Sequence, residues 1–167
     1  DATKILATLG SGIAAYLVGV VLSRNERLEV ASRAFYFISA LVSPLGLYVT
    51  FDVAGLDAGS HGIQSLISGI LLLTFLLSYF MGRKTVFTIF NIIFGTWLFF
   101  SFTSFLVGSN PHFTWKFSAY RVLCAGLAYA SLGYSFSQSD KRALTGALYG
   151  FGVWSFLGAA LALGDWK

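Results

Sequence analysis

The sequence predicts an all-α membrane protein with six transmembrane helices. Its residues are 56% hydrophobic and only 11% charged, whereas soluble domains carry about 25% charged residues. A helix that crosses a bilayer needs about 20 apolar residues, and six stretches approach that length, near 5–23, 34–53, 63–81, 86–107, 119–136 and 143–163. We therefore expect one transmembrane domain over residues 1–167, with the lipid bilayer as its main partner.

Most of these windows carry a feature of their own. The first lacks a basic leader and a small-residue cleavage site, so we expect a true span and not a signal peptide. Pro44 lies in the middle of the second and predicts a kink. Either the kink serves helix packing alone, or the carbonyls that it frees meet a polar solute. Asn91 is the most polar side chain well inside the fourth. The fifth window is the shortest and the weakest prediction.

The basic residues predict how the chain is oriented. Seven of the eleven lie in three short turns, namely Arg24, Arg27, Arg33, Arg83, Lys84, Lys141 and Arg142. Because basic loops tend to stay in the cytoplasm, we expect both termini outside, in a plasma or inner membrane. His61 and His112 then lie on the outer side. They are either solvated loop residues or sensors of external pH, since histidine changes charge near neutrality.

A spacing of 57 residues predicts that the six helices form three hairpins, about 5–53, 63–107 and 119–163. Glycine, a basic residue and phenylalanine each recur in register at this spacing, as Gly12, Gly69 and Gly126, then Arg27, Lys84 and Lys141, then Phe37, Phe94 and Phe151. The second and third copies also share a glycine and a tryptophan, as Gly95 with Gly152 and Trp97 with Trp154. Three such hairpins predict pseudo-threefold symmetry, and the axis of such an arrangement is a natural place for a pore.

Small residues recur every four positions in several helices. Such lanes let helix backbones approach closely in lipid, so we expect helix packing at Gly12, Gly69, Gly126, Gly146 and Gly150. The alternative is that small residues line a narrow passage that larger ones would block.

Several function classes find no support in the sequence. No carboxylate lies at mid-depth of a window, although ion-coupled transporters usually place one there. We find no phosphate-binding loop, no metal-ligand spacing and no catalytic triad, and the single cysteine, Cys124, excludes an internal disulfide. We therefore expect no enzyme, no cofactor, no metal and no nucleic-acid partner, and any solute to be neutral.

Three short hairpins with both termini outside and outer histidines resemble the AmiS/UreI family of urea and short-amide channels. The run FYFISALVSPLG looks like the second helix of that family, and the segment from Arg142 to Trp166 is similar to its end. This resemblance implies a homo-oligomer, a hexamer in that family, with one pore per protomer. The segment from Gly62 to Phe105 also resembles the acetate permeases, and the Gly-x-Trp patterns resemble HdeD-like membrane proteins.

Two hypotheses follow. The first is a passive channel or facilitator for a small polar solute such as urea, a short amide or a weak acid, with pore-lining candidates Asn91, Phe94, Trp97, Phe151 and Trp154. The second is a structural, stress-related or accessory membrane protein without transport. At 100° per residue, Trp97 lies about 200° round the helix from Gly95, which weakens a shared pore face.

Overall fold

The computed structural model describes residues 2–108 and 115–164, and within them helices are the only regular secondary structure. Six α-helices follow one another, namely α1 (Ala2–Leu22), α2 (Glu29–Val53), α3 (His61–Gly82), α4 (Thr85–Val107), α5 (Trp115–Ser137) and α6 (Thr145–Leu163). The predicted all-α class is confirmed.

Within the described residues, five helices are long and apolar enough to cross a membrane, which supports an integral membrane protein. The helix outside this group is α5, the weakest window of the sequence. It has 23 residues, but it carries Lys116 and Arg121 in its first two turns. The six-span arrangement and its hairpin repeat stay predictions.

The chain forms two compact units, Asp1–Leu106 and Val107–Lys167. In the first unit, α1 and α2 lie antiparallel and very close together, because small residues at their contact let the two backbones approach. A Cβ added at Gly46 would lie 2.7 Å from the Cα atom of Leu9, and one added at Gly19 would lie 2.9 Å from the Tyr36 ring. Two buried serines of α2 also donate hydrogen bonds to α1 carbonyls: Ser32 to Gly19 at 2.8 Å and Ser39 to Gly12 at 2.9 Å.

Helices α3 and α4 pack differently, through large rings. Few of their Cα atoms come within 8 Å of each other, and aromatic side chains fill the space between them. The ring of Phe75 on α3 is 5.0 Å from Phe90 and 5.4 Å from Phe94 on α4. Tyr36 of α2 joins this core with its ring 4.8 Å from Phe87. The core of the first unit is therefore aromatic.

The second unit is an antiparallel pair, α5 and α6, in close backbone contact. A Cβ added at Gly126 would lie 2.8 Å from the backbone nitrogen of Phe156. Nearer the turn, a Cβ added at Gly133 would lie 3.4 Å from the side chain of Leu148. Small residues thus hold this pair together as they hold α1 against α2.

Candidate functional site

A half-enclosed cavity of about 190 Å³ lies between α1, α2 and α3 in the first unit. It is near the middle of each helix, and therefore at mid-depth if the helices cross a bilayer. Its walls are mostly apolar, with Leu9, Gly12, Ile13, Tyr16, Ser39, Ser43, Leu47, Ile70, Leu71, Thr74 and Phe75 as lining residues. We call it the mid-helix cavity.

Most hydroxyl groups around the mid-helix cavity are engaged within the protein. Ser39 donates to the Gly12 carbonyl, and Thr74 donates to the Ile70 carbonyl of its own helix at 2.8 Å. The Tyr16 hydroxyl is 2.7 Å from Ser78 Oγ, which links α1 to α3. These bonds satisfy the buried hydroxyls and hold the three helices around the cavity.

Ser43 differs from the other hydroxyl residues of the cavity. Its hydroxyl makes no hydrogen bond to any residue that the structure describes, and it lines the cavity. It also faces α1, since a Cβ added at Gly12 would lie 3.0 Å from Ser43 Oγ. The next residue, Pro44, lacks the N–H that would bond the Ala40 carbonyl, although α2 continues through it. The middle of α2 therefore offers the cavity one hydroxyl with free donor and acceptor capacity.

Asn91 lies on α4 against α3, outside the lining of the mid-helix cavity. Its Nδ2 donates a long hydrogen bond, 3.4 Å, to the carbonyl of Phe75. Its Oδ1 is buried and finds no partner among the described residues, and neither does the hydroxyl of Thr88 one turn earlier. The amide thus connects two helices on one side and leaves an unsatisfied acceptor on the other.

Two of the aromatic pore candidates pack together in the first unit. Phe94 is 4% exposed and stacks on Phe75. Trp97 packs against the same aromatic core, with its ring 6.5 Å from that of Phe94. Neither lines the mid-helix cavity.

The other two aromatic candidates, Phe151 and Trp154, lie on the surface of α6 in the second unit. Their side chains are 68% and 80% exposed, and with Ala147 and Gly150 they border a shallow apolar groove. Large apolar rings presented in this way suit either lipid or another protein chain.

The five glycines that we expect to pack helices have different surroundings. Gly12 and Gly126 lie at close helix contacts, as described above, and Gly69 has only the tip of Leu98 nearby, 3.9 Å from an added Cβ. A Cβ added at Gly146 or Gly150 would meet no atom within 4 Å. These last two therefore provide no close approach between α5 and α6.

The candidate pH sensor His61 is the first residue of α3 and is exposed. Ser60 precedes it and caps the helix, accepting a hydrogen bond from the backbone N–H of Ile63 at 3.4 Å. His112 lies outside the described residues. Within 2–108 and 115–164, no group of three or more His, Cys, Asp or Glu residues could hold a metal ion.

The mid-helix cavity is the feature that sequence reasoning missed. One available signal was the four-residue spacing of Ser39 and Ser43, which places two hydroxyls on one face of α2 beside Pro44.

No known family model, curated protein or solved structure matches this chain.

Proposed function

We propose that this integral membrane protein is a passive facilitator for a small neutral polar solute that passes through the mid-helix cavity. One observation carries the proposal: a cavity at the middle of three apolar helices holds the hydroxyl of Ser43, which has no hydrogen-bond partner in the described part of the chain. In hydrocarbon a polar group is costly without a partner, and a passing solute would supply one.

The size of the cavity limits the solute. Sites for drug-sized ligands occupy about 300–1,000 Å³, whereas an engineered cavity of about 150 Å³ is enough for benzene. A cavity of about 190 Å³ therefore suits a molecule with few heavy atoms. Urea, a short amide or a weak acid in its neutral form has this size, in line with the resemblance to urea and short-amide channels.

The charge of the lining also favours a neutral solute. Among residues 2–108 and 115–164, no Asp, Glu, Lys, Arg or His borders the mid-helix cavity, and a bare charge at mid-depth costs several kcal/mol unless it is paired. An ion would find no compensating group there. A neutral amide could exchange hydrogen bonds with Ser43 and slide along the apolar wall.

The experiment is stopped-flow light scattering on proteoliposomes challenged with urea, acetamide, glycerol and acetate at pH 5 and pH 7. Ile70→Phe should block the mid-helix cavity from the α3 side, and Leu73→Phe is its matched control, since Leu73 is 60% exposed and does not line the cavity. We expect solute-selective flux in the wild type and in Leu73→Phe, and the loss of most of that flux in Ile70→Phe. Ser43→Ala should slow urea more than glycerol if the hydroxyl binds the amide.

Equal flux in Ile70→Phe and Leu73→Phe would move the pathway away from this cavity. Flux no higher than in empty liposomes, with the protein shown to be folded and inserted, would reject the facilitator. Flux that depends on pH would lead to a test of His61→Gln, because His61 is exposed at the start of α3.

The exposed rings of α6 favour a second candidate, a structural or accessory role in which copies of the chain associate. Gly150 and Ala147 would let a second helix approach between Phe151 and Trp154. Trp154→Ala should then reduce the oligomer mass measured in mild detergent, and Leu161→Ala, at another exposed position of α6, should leave it unchanged. If both variants keep the wild-type mass, Trp154 faces lipid.

The proposed topology has six spans with both termini outside. The second unit supports this topology. There α5 lies antiparallel to α6 along Gly126 to Gly133, and α6 is long and apolar enough to cross a membrane. A five-span arrangement would place the termini on opposite sides. In a Cys124→Ser background, Asn25→Cys should be protected from a membrane-impermeant thiol reagent added outside, while Leu56→Cys is labelled. Labelling of Asn25→Cys from outside would contradict the proposed orientation and place this turn on the outer side.

A further inference from the structure

A second, polar pocket lies at the end of the first unit where α2 and α4 begin and α3 ends. It has a volume of about 460 Å³ and is lined by Glu29, Arg33, Arg83, Lys84, Thr85, Val86 and Ile89. Three of these side chains are cationic and one is anionic. The pocket therefore carries an excess of positive charge and is suited to an anion.

The backbone at Arg83 is the least expected feature of this pocket. Arg83 ends α3 in the left-handed conformation, with φ at +47°, and its N–H donates to the Tyr79 carbonyl at 2.7 Å. Glycine is the usual residue at such a position, because a side chain makes the left-handed conformation costly. No other non-glycine residue in the described chain has a positive φ. An arginine in this place keeps a cation beside the pocket at a conformational cost.

The two other cations are held beside it. Lys84 places its Nζ 5.9 Å from the centre of the Tyr36 ring, on the aromatic core. Arg33 donates a 2.9 Å hydrogen bond to Glu29, and both side chains are substantially exposed, at 60% and 43%. An exposed ion pair of this kind contributes little stability. Arg33 can therefore turn from Glu29 to an incoming anion at small cost.

The remaining wall points to an anion that carries an apolar tail. Val86 and Ile89 line the pocket and lie three residues apart in the first turns of α4. They belong to the apolar segment that could cross a membrane. Free phosphate would leave this surface uncovered, whereas an acyl chain would cover it. We infer that the pocket binds the phosphate group of an anionic phospholipid, with Arg33, Arg83 and Lys84 around the phosphate and Val86 and Ile89 against the tail.

The test is thermal unfolding of the full chain in a neutral detergent, with dioctanoyl phosphatidylglycerol, dioctanoyl phosphatidylcholine or inorganic phosphate added. A ligand that binds the folded state raises Tm with its concentration. We expect phosphatidylglycerol to raise Tm saturably, and the other two to have little effect at equal concentration.

Arg83→Gly separates binding from folding. Glycine suits the positive φ, so the variant should keep or raise Tm without lipid, yet it should raise the half-saturating concentration of phosphatidylglycerol at least about fivefold, since charge-assisted hydrogen bonds to phosphate are strong. Lys84→Gln should act in the same direction. Arg27→Gln removes the same charge from a turn residue outside the pocket and should bind as the wild type does.

Each other outcome overturns the inference. An equal loss in Arg27→Gln and Arg83→Gly would show that only net charge matters. An equal saturable shift with inorganic phosphate would make the ligand a soluble anion and not a lipid. No rise in Tm with phosphatidylglycerol, or a wild-type response in Arg83→Gly, would show that the pocket does not bind an anionic lipid.

Discussion

Gly126 of α5 and Gly152 of α6 face each other at backbone distance. A Cβ on Gly126 would lie 2.9 Å from the carbonyl oxygen of Gly152, and a Cβ on Gly152 would lie 3.0 Å from that of Gly126. The contact is reciprocal and involves main-chain atoms that cannot turn aside. Only glycine at both positions lets the two helices approach this closely.

Gly152→Ala should therefore destabilise the α5–α6 pair. Its methyl group would also meet the backbone nitrogen of Ala130 at 2.9 Å, so the helices must separate. We expect a loss of about 1–3 kcal/mol in the free energy of unfolding, measured by denaturant titration in detergent.

The control for this prediction is Gly146→Ala on the same helix. An added Cβ there meets no atom within 4 Å, and alanine favours helix over glycine, so stability should stay equal or rise. Equal losses in both variants would contradict the packing described for Gly152.

Ser39→Ala should weaken the contact between α1 and α2. Ser39 is 2% exposed and its hydroxyl bonds the Gly12 carbonyl across the two helices. Hydrogen bonds between membrane helices contribute about 0.6 kcal/mol on average and at most about 1.7 kcal/mol, and we expect a loss in that range. Ser65→Ala is the control, because the Ser65 hydroxyl donates within its own helix, to the His61 carbonyl, and contacts no other described hydrogen-bond partner. A loss in Ser65→Ala as large as in Ser39→Ala would reject the interhelical role.

Phe75→Ala should be among the most damaging substitutions in the first unit. Its ring is 2% exposed and lies within 6.3 Å of the rings of Phe87, Phe90 and Phe94. Removing it leaves a cavity between α3 and α4, and we expect a loss of about 2 kcal/mol or more in the free energy of unfolding. Phe80→Ala, at a ring 69% exposed, should cost less than about 0.5 kcal/mol. Similar values for both would mean that the aromatic core does not hold these helices together.

Asn91→Leu should change stability by less than about 1 kcal/mol. The 3.4 Å bond from Asn91 to Phe75 is long, and the buried Oδ1 has no partner among the described residues, so the lost bond is offset by removing an unsatisfied acceptor. Asn91→Asp should instead be destabilising, by up to about 2.5–3.5 kcal/mol, since it places a carboxyl group inside the apolar segment of α4. The measurement is unfolding in detergent at pH 7. A loss above about 2 kcal/mol in Asn91→Leu would show that the amide has a stronger partner.

The helices themselves were largely predictable from apolar length. The third and fourth windows, 63–81 and 86–107, lie close to His61–Gly82 and Thr85–Val107, because a membrane span must be long and apolar. The second window begins at residue 34, but the helix begins at Glu29. Apolarity alone misses this first turn, where Arg33 bonds Glu29 four residues earlier.

The partners of side chains were far less predictable. Gly126 and Gly146 both belong to small-residue lanes, yet only Gly126 touches the neighbouring helix closely. The lanes show where helices can approach, and the rotation of each helix decides which lane is used. Phe94 and Phe151 likewise share a register in the sequence, but one is buried and the other exposed.

The sequence by itself determined the all-α class and the apolar helices suited to a bilayer, because both depend on local composition and on the length of each segment. Only the tertiary structure decided the mid-helix cavity, the contact of Asn91 with Phe75 and the pocket around Arg83. Each of these depends on the distance and rotation between separate helices. Such quantities are set by how side chains of different sizes interlock, which periodicity within one helix does not encode.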